Sequence, residues 1–195
     1  MPADVPVAHA RLTIEQCVQV FDDALPPEFC TQMIASFDRL RHLHIPNGRG
    51  RRGFEASAWT ELNVSTAADA GFKGFFMQRI DDYLGRYNER LGLALPVPTR
   101  PRIEDIRIKR YRAGSDEQFE PHFDSMDDKA NRYMVFLWYL NDVAAGGETE
   151  FLNLDIKVAP RAGRLLMFPP YWMFQHAGLA PQSNDKYIVS TYMLF

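Results

Sequence analysis

Apolar residues in the first half of the chain recur at two periods. In CVQVFDDAL (17–25) they alternate with polar residues, and the segment then meets PPEFC. This predicts a short strand running into a helix whose first turn holds Pro26, Pro27 and Glu28. The helix, PPEFCTQMIASFDRL, puts Phe29, Met33, Ile34 and Phe37 on one face. AWTELNV (58–64) predicts a strand. A second helix follows over roughly 69–92, where Phe72, Phe75, Phe76, Ile80, Tyr83, Leu84 and Tyr87 fall near helical spacing. LALPVPTRP breaks it.

From Arg102 onward short strands dominate: RIEDIRIKRYR, RYMVFLWYLND, GETEFLN, IKVAP, GRLLMFPP, WMFQHAG and KYIVSTYMLF, punctuated by AAGGE and APRAG. HIPNGRGRRGFEAS (44–57) has no periodicity and reads as a long loop. Its glycines permit hinge angles and Arg49, Arg51 and Arg52 offer charge, so it is the candidate lid. No repeat, low-complexity tract or linker divides the chain. The pattern predicts one α+β, β-rich domain over residues 1–195, helix-rich over about 1–100 and a β-sandwich or barrel over about 101–195.

Composition narrows the function classes. A net charge of −3 provides no basic field for nucleic acid or an anionic membrane. The 13% aromatic content suits a β-rich core or a lined pocket. Cys17 and Cys30 lack CxxC spacing, which speaks against a disulfide framework and a structural zinc cluster. MPADVPVAHARLTIEQ has no basic segment followed by an apolar run, so no signal peptide is expected. No stretch approaches the roughly 20 apolar residues of a membrane helix. A soluble, cytoplasmic protein is the expectation.

The chemistry concentrates in FEPHFDSMDD (119–128). On a strand, residues i and i+2 share a face, so His122 and Asp124 would present a nitrogen and a carboxylate oxygen side by side. His176, at the end of the predicted strand YWMFQHAG, is the candidate third donor. Two histidines and one carboxylate on one side of a metal suit non-haem Fe(II), with open positions opposite. The same donors also suit a His2Asp zinc hydrolase, and an HxD pair alone is compatible with a solvated turn. His9, His42 and His44 have no supporting partner at a useful spacing and read as structural or solvated. Lys186, ten residues after His176, opens the last strand, and with Tyr111 and Tyr139 offers one charge and two phenols to a dicarboxylate.

RYRAGSDEQFEPHFD, VFLWYLNDVAAGGETEF, APRAGRLLMFPP, HAG…K and VFDDALPPEFCTQMI together resemble the Fe(II)/2-oxoglutarate dioxygenases, in their prolyl 4-hydroxylase-like branch. The resemblance covers nearly the whole chain and is weakest over about 42–100. It implies a double-stranded β-helix (jelly-roll) core with the N-terminal helices packed on one sheet. It makes His122, Asp124 and His176 the iron ligands. Lys186 would hold the distal carboxylate of 2-oxoglutarate, helped by Tyr139 and Tyr111, with Thr149 on a strand beside the pocket. Dioxygen is then the second co-substrate and ascorbate a candidate reductant.

Two positions depart from the family pattern. Tyr192, or Thr191 in another register, stands where a tryptophan is expected, and Phe119 replaces a hydroxyl-bearing aromatic before the first histidine. Asp127 and Asp128 follow the first two ligands and could face the lid loop or a basic substrate. Trp138 and Trp172 are expected in the core. The implied reaction is hydroxylation of a peptidyl residue such as proline. The alternatives are a free amino acid or other small molecule as substrate, a zinc hydrolase, and a non-catalytic binding domain. A nucleic-acid demethylase is disfavoured by the charge.

Overall fold

The computed structural model describes residues 11–49 and 55–195. Strand β1 (Gln19–Phe21) leads to helix α1 (Pro27–Arg39), with Pro26 as its N-cap and Pro27 at the first helical position, where a missing N–H costs nothing. Met33 and Phe37 are buried as their spacing predicts, and Cys30 joins them; Phe29 and Ile34 pack at the edge of the same core. Helix α2 (Ala70–Leu91) begins where the Asp69 carboxylate accepts from Phe72 N–H at 2.8 Å. It stops at Gly92, whose φ of 56° ends the helix in the left-handed region.

Among the described residues eleven further strands follow β1, the first ten being β2 (Ile45–Asn47), β3 (Trp59–Asn63), β4 (Arg102–Ile103), β5 (Arg107–Tyr111), β6 (Phe119–His122), β7 (Arg132–Tyr139), β8 (Thr149–Phe151), β9 (Ile156–Val158), β10 (Leu165–Phe168) and β11 (His176–Gly178). The last, β12 (Lys186–Leu194), is central to the larger sheet. That sheet runs β1-β10-β7-β12-β5-β3-β2, with β4 also pairing to β12; the smaller runs β6-β11-β8-β9. All pairings are antiparallel. The fold is a jelly roll carrying two helices, as expected.

Period-two alternation divides the larger sheet between two cores. Met134, Phe136 and Trp138 of β7, with Val189 and Met193 of β12, face the helices and meet Phe76, Ile80 and Leu84. Val135 and Tyr139 of β7, with Ile188 and Tyr192 of β12, face the smaller sheet. A strand covered on both sides reads as a continuous apolar run, which is why all four residues of β10, LLMF, are buried. Trp138 is fully buried on the helix side, edge-on to Phe76 at 5.3 Å.

Several predicted boundaries move. The loop 44–57 opens with β2, which pairs Ile45 with Glu61 and Asn47 with Trp59. Residues 50–54 of the candidate lid, including Arg51 and Arg52, lie outside the described residues, while Arg49 pairs with Asp116. RIEDIRIKRYR is two strands, broken where Glu104 turns its carboxylate to Arg132. In WMFQHAG, Trp172–Phe174 form a 3-10 turn, so His176 begins β11 and does not end a strand. That turn leaves Trp172 exposed, 66% of its surface open, against the expectation of burial. Among the described residues no helix is long and apolar enough to cross a membrane.

Candidate metal centre

Cross-strand register brings the two histidines together: β6 and β11 pair antiparallel with His122 directly opposite His176. Their rings lie 4.3 Å apart. β6 ends at His122, so Asp124 does not reach the site by strand alternation. It is held instead by the loop before the 3-10 turn: the N–H groups of Asp124 and Ser125 both donate to Pro170 C=O at 3.0 Å. One donor atom from each of His122, Asp124 and His176 falls within 4.8 Å of the others.

The histidine tautomers are set from behind. His122 Nδ1 lies 2.7 Å from Glu120 C=O and His176 Nδ1 3.0 Å from Phe174 C=O. Each carbonyl accepts the Nδ1 proton, leaving Nε2 as a lone pair turned toward Asp124, at 3.7 and 3.5 Å from its two carboxylate oxygens. Asp124 is buried, and its Oδ2 has no hydrogen-bond partner. A buried carboxylate oxygen without a donor is costly unless a cation completes it. Two lone pairs and one unpaired anionic oxygen fit a divalent metal of the iron or zinc type.

Burial lowers His176 to about 4, and the neighbouring His122 pushes the same way against the pull of Asp124. For Asp124, burial alone would raise the pKa, but His122, His176 and Arg132 together hold it well below the carboxylate range. Both therefore stand in the protonation state that ligates metal. Tyr192 donates to Asp124 Oδ1 at 2.9 Å, and Arg132 lies 3.8 Å from the same oxygen while making a bidentate pair with Glu104. Tyr192 is thus the inward residue of its strand; Thr191 points the other way and donates to Glu104 C=O.

Lys186 sits deeper, 2% exposed, at the start of β12 and opposite Tyr111 of β5. Its Nζ donates to Gly147 C=O at 3.0 Å and lies 4.5 Å from the Tyr111 ring centre. The φ of +80° at Gly147 is open to glycine without strain, and an added Cβ would come within 3.4 Å of Lys186 Cδ. Burial lowers Lys186 to about 7, with Lys109 adding to the shift and Glu148 opposing it. A narrow recess joins Lys186 to the three donors and is lined by Tyr111, Thr149 and Gly178. Tyr139 is not on its wall: its buried hydroxyl donates to Thr149 Oγ1 at 2.7 Å, so Thr149 presents the surface.

Outside the donors a wider cavity of about 560 Å³ opens toward solvent. Trp59, Glu61, Lys109, Phe119 and Arg132 wall it, and Asp127 and Asp128 stand at its edge. Phe119 stacks on His122 with ring centres 3.6 Å apart, so the missing phenol leaves an apolar wall behind that ligand. Sequence reasoning overlooked Lys109 and Arg132. The alternation of RIKRY places Lys109 on the face of Tyr111, a signal that was available. The fold also brings Arg132 beside Asp124, and no local spacing announces that pairing.

Residues 106–194 match the model of the 2OG-Fe(II) oxygenase superfamily. Prolyl 4-hydroxylase subunit alpha-1 of Rattus norvegicus is 33% identical over 95 residues, 43% of this chain and 17% of that protein. Probable prolyl 4-hydroxylase 4 of Arabidopsis thaliana is 39% identical over 59 residues, 27% of this chain and 19% of that protein. The chain therefore matches less than a fifth of the length of either relative. A crystal structure of a Pseudomonas putida prolyl-4-hydroxylase shares the fold with a TM-score of 0.66 at 16% identity, over 91% of this chain and 92% of that one. A Trichoplax adhaerens prolyl hydroxylase, in complex with a hypoxia inducible factor oxygen degradation domain peptide fragment, gives 0.69 at 16% identity over 92% and 84%. Over its C-terminal strands the chain is thus similar to the 2OG-Fe(II) oxygenase superfamily, and within it to prolyl 4-hydroxylases.

Proposed function

We propose that this chain is an Fe(II)- and 2-oxoglutarate-dependent hydroxylase acting on a C–H bond of a peptidyl residue, with proline the favoured one. The observation that carries the reading is the buried Asp124 carboxylate, its Oδ2 without a hydrogen-bond partner, lying against the Nε2 atoms of His122 and His176, one recess away from a buried lysine. Iron, when bound, supplies the coupling of 2-oxoglutarate decarboxylation by dioxygen to hydroxylation of the substrate. His122, Asp124 and His176 would hold it, and their second contacts fix the direction from which it is held. Lys186 is the residue for the distal carboxylate of 2-oxoglutarate, because a buried ammonium in a dry recess rejects analogues that lack the anion. Tyr111 walls that end with its ring, Thr149 offers a hydroxyl, and Tyr139 orients Thr149. Trp59 and Phe119 shield the donors from bulk water on the cavity side.

A peptide substrate is supported by the 560 Å³ cavity opening to solvent and by the relatives, one of which binds a peptide fragment. The test is anaerobic. Fe(II) and 2-oxoglutarate are added to metal-free protein, and the weak visible charge-transfer band of the chelate is recorded. The band is expected with the parent and lost with Lys186→Ala. Tight zinc binding with no band under any condition overturns the assignment in favour of a zinc hydrolase.

A further inference from the structure

Lys109 is the one cation of the outer cavity whose charge the fold leaves unanswered among the described residues. It is 8% exposed and projects from β5 two residues before Tyr111, so it stands on the same inward row as the Lys186 end of the recess. Its Nζ lies over the Trp59 ring at 5.4 Å and the Phe119 ring at 5.8 Å, and it lines both the outer cavity and the inner recess. The other cavity cations are matched. Arg107 pairs with Glu61 at 3.4 Å, Arg132 with Glu104 at 2.8 Å, and Lys129 with Asp128 at 2.9 Å. Glu61 could serve Lys109, but it is already engaged by Arg107, by Trp59 Nε1 at 3.1 Å and by Asn47 Nδ2 at 3.3 Å. Asp124, the other acid near it, belongs to the metal donors. A buried amine whose nearby carboxylates are already engaged, and which otherwise meets two ring faces, keeps much of its desolvation cost, and an arriving anion would lower that cost.

From this we infer that Lys109 is a specificity-determining residue that binds a carboxylate of the substrate, beside the carbon to be hydroxylated. The inference rests on the hydroxylase reading above and adds the chemical class of what enters the cavity. Lys186 already serves the inner end of the recess, and Lys109 stands on the substrate side of His122 and Asp124, where the wide cavity begins. The carboxylate has two sources that this geometry admits: an acidic side chain next to the target residue in a peptide, or the free carboxylate of a terminal or unlinked amino acid. Both present the same two oxygens to one ammonium.

Two matched pairs of probes separate them. Capped pentapeptides containing Pro-Glu or Pro-Gln differ by one side-chain carboxylate, and free L-proline and L-prolinamide differ by the terminal one. Each is titrated by calorimetry into protein loaded with Mn(II) and 2-oxoglutarate, which binds without turning over. The acid of one pair is expected to bind about tenfold or more tightly than its amide, and that pair names the source. Lys109→Met, which keeps the aliphatic stem between the rings, is expected to abolish the preference and leave the affinity for 2-oxoglutarate within about twofold. Equal or absent responses to acid and amide in both pairs overturn the inference, and this comparison needs only the parent protein. A preference that survives Lys109→Met also overturns it. So does a loss of 2-oxoglutarate affinity in that variant, which would assign Lys109 to the co-substrate. Failure of the parent to bind 2-oxoglutarate at all would instead remove the hydroxylase reading, before any probe is added.

Discussion

The hydroxyl of Tyr192 donates to Asp124 Oδ1 at 2.9 Å, and the guanidinium of Arg132 covers the Tyr192 ring at 3.6 Å while standing 3.8 Å from that same oxygen. Oδ1 is thereby fixed by two neighbours on the larger sheet, with His122 Nε2 3.7 Å away, and Oδ2 is left facing His176 Nε2 at 3.5 Å. Partners behind a ligand of this kind typically change metal affinity about 10–100-fold when removed. Tyr192→Phe is expected to weaken Fe(II) or Zn(II) binding by about tenfold with little loss of thermal stability. Arg132→Met should cost more, about 3–5 kcal/mol of folding stability, because it strands Glu104 and Asp124 without their cation. Metal titrations beside thermal melts separate the two effects. Unchanged metal affinity in both variants would show that Asp124 needs no second contact.

Lys186 makes co-substrate binding depend on pH in a stated direction. Burial depresses its pKa to about 7 in the empty recess, yet a dicarboxylate pairs with the ammonium form. Above about 7 the site must take up a proton on binding, so affinity for 2-oxoglutarate should fall as pH rises and stay level below that point. The sign for folding is opposite. The unfolded lysine titrates near 10.5 and binds more protons between about 7 and 10.5, so this group makes the ligand-free protein more stable as pH rises through that window. Calorimetry in buffers of different ionisation enthalpy reads the proton uptake directly. Lys186→Ala should bind 2-oxoglutarate weakly and without it.

Thr149 and Tyr139 should separate when mutated. Tyr139 donates its proton to Thr149 Oγ1, which frees the threonine proton for a ligand in the recess. Thr149→Val removes the donor that faces the recess, with an expected loss of about 0.5–1.5 kcal/mol in 2-oxoglutarate binding. Tyr139→Phe removes the orienting bond and a longer contact to Val158 C=O at 3.4 Å, neither of them a bond to the ligand, and should cost less of that affinity. Dissociation constants from quenching or calorimetry decide it. A larger loss in Tyr139→Phe would mean that the tyrosine itself reaches the co-substrate.

Much of this architecture was legible in the chain, and the failures have local causes. The alternation of RYMVFLWY and KYIVSTYMLF announces two long strands whose residues divide between two cores, and both are present. HxD and the distant His176 pointed to one site because antiparallel pairing can join positions far apart in sequence; here it sets them directly opposite. The reason given for Asp124 was nonetheless wrong, since it lies past the end of β6 and is held by Pro170 C=O. WMFQHAG read as a strand because aromatic residues favour strands, but after two prolines its first residues close a 3-10 turn and expose Trp172. Arg132 and Glu104 escaped notice, and Tyr192 stood out only as a departure from the family pattern, because their meaning is tertiary: a buried charge can be valued only once its partners are known.

His176 gives the metal-free protein a pH dependence that its metal should alter. Burial lowers its folded pKa to about 4, whereas the unfolded side chain titrates near 6.5. Between those values the unfolded chain binds the extra proton, so the stability this group contributes is present above about 6.5 and is lost as pH falls toward 4. Asp124 acts in the same direction further down, because its folded carboxyl is also held below the unfolded value. The melting temperature of metal-free protein is therefore expected to fall as pH is lowered from about 6.5 to 4. His176→Gln, which keeps a polar side chain but cannot titrate, should flatten that slope. Metal binds the neutral imidazole, so zinc should raise the melting temperature most at the upper end of the window and progressively less toward pH 4. An equal zinc-induced rise across the whole window would place the titrating proton on a group outside the metal centre.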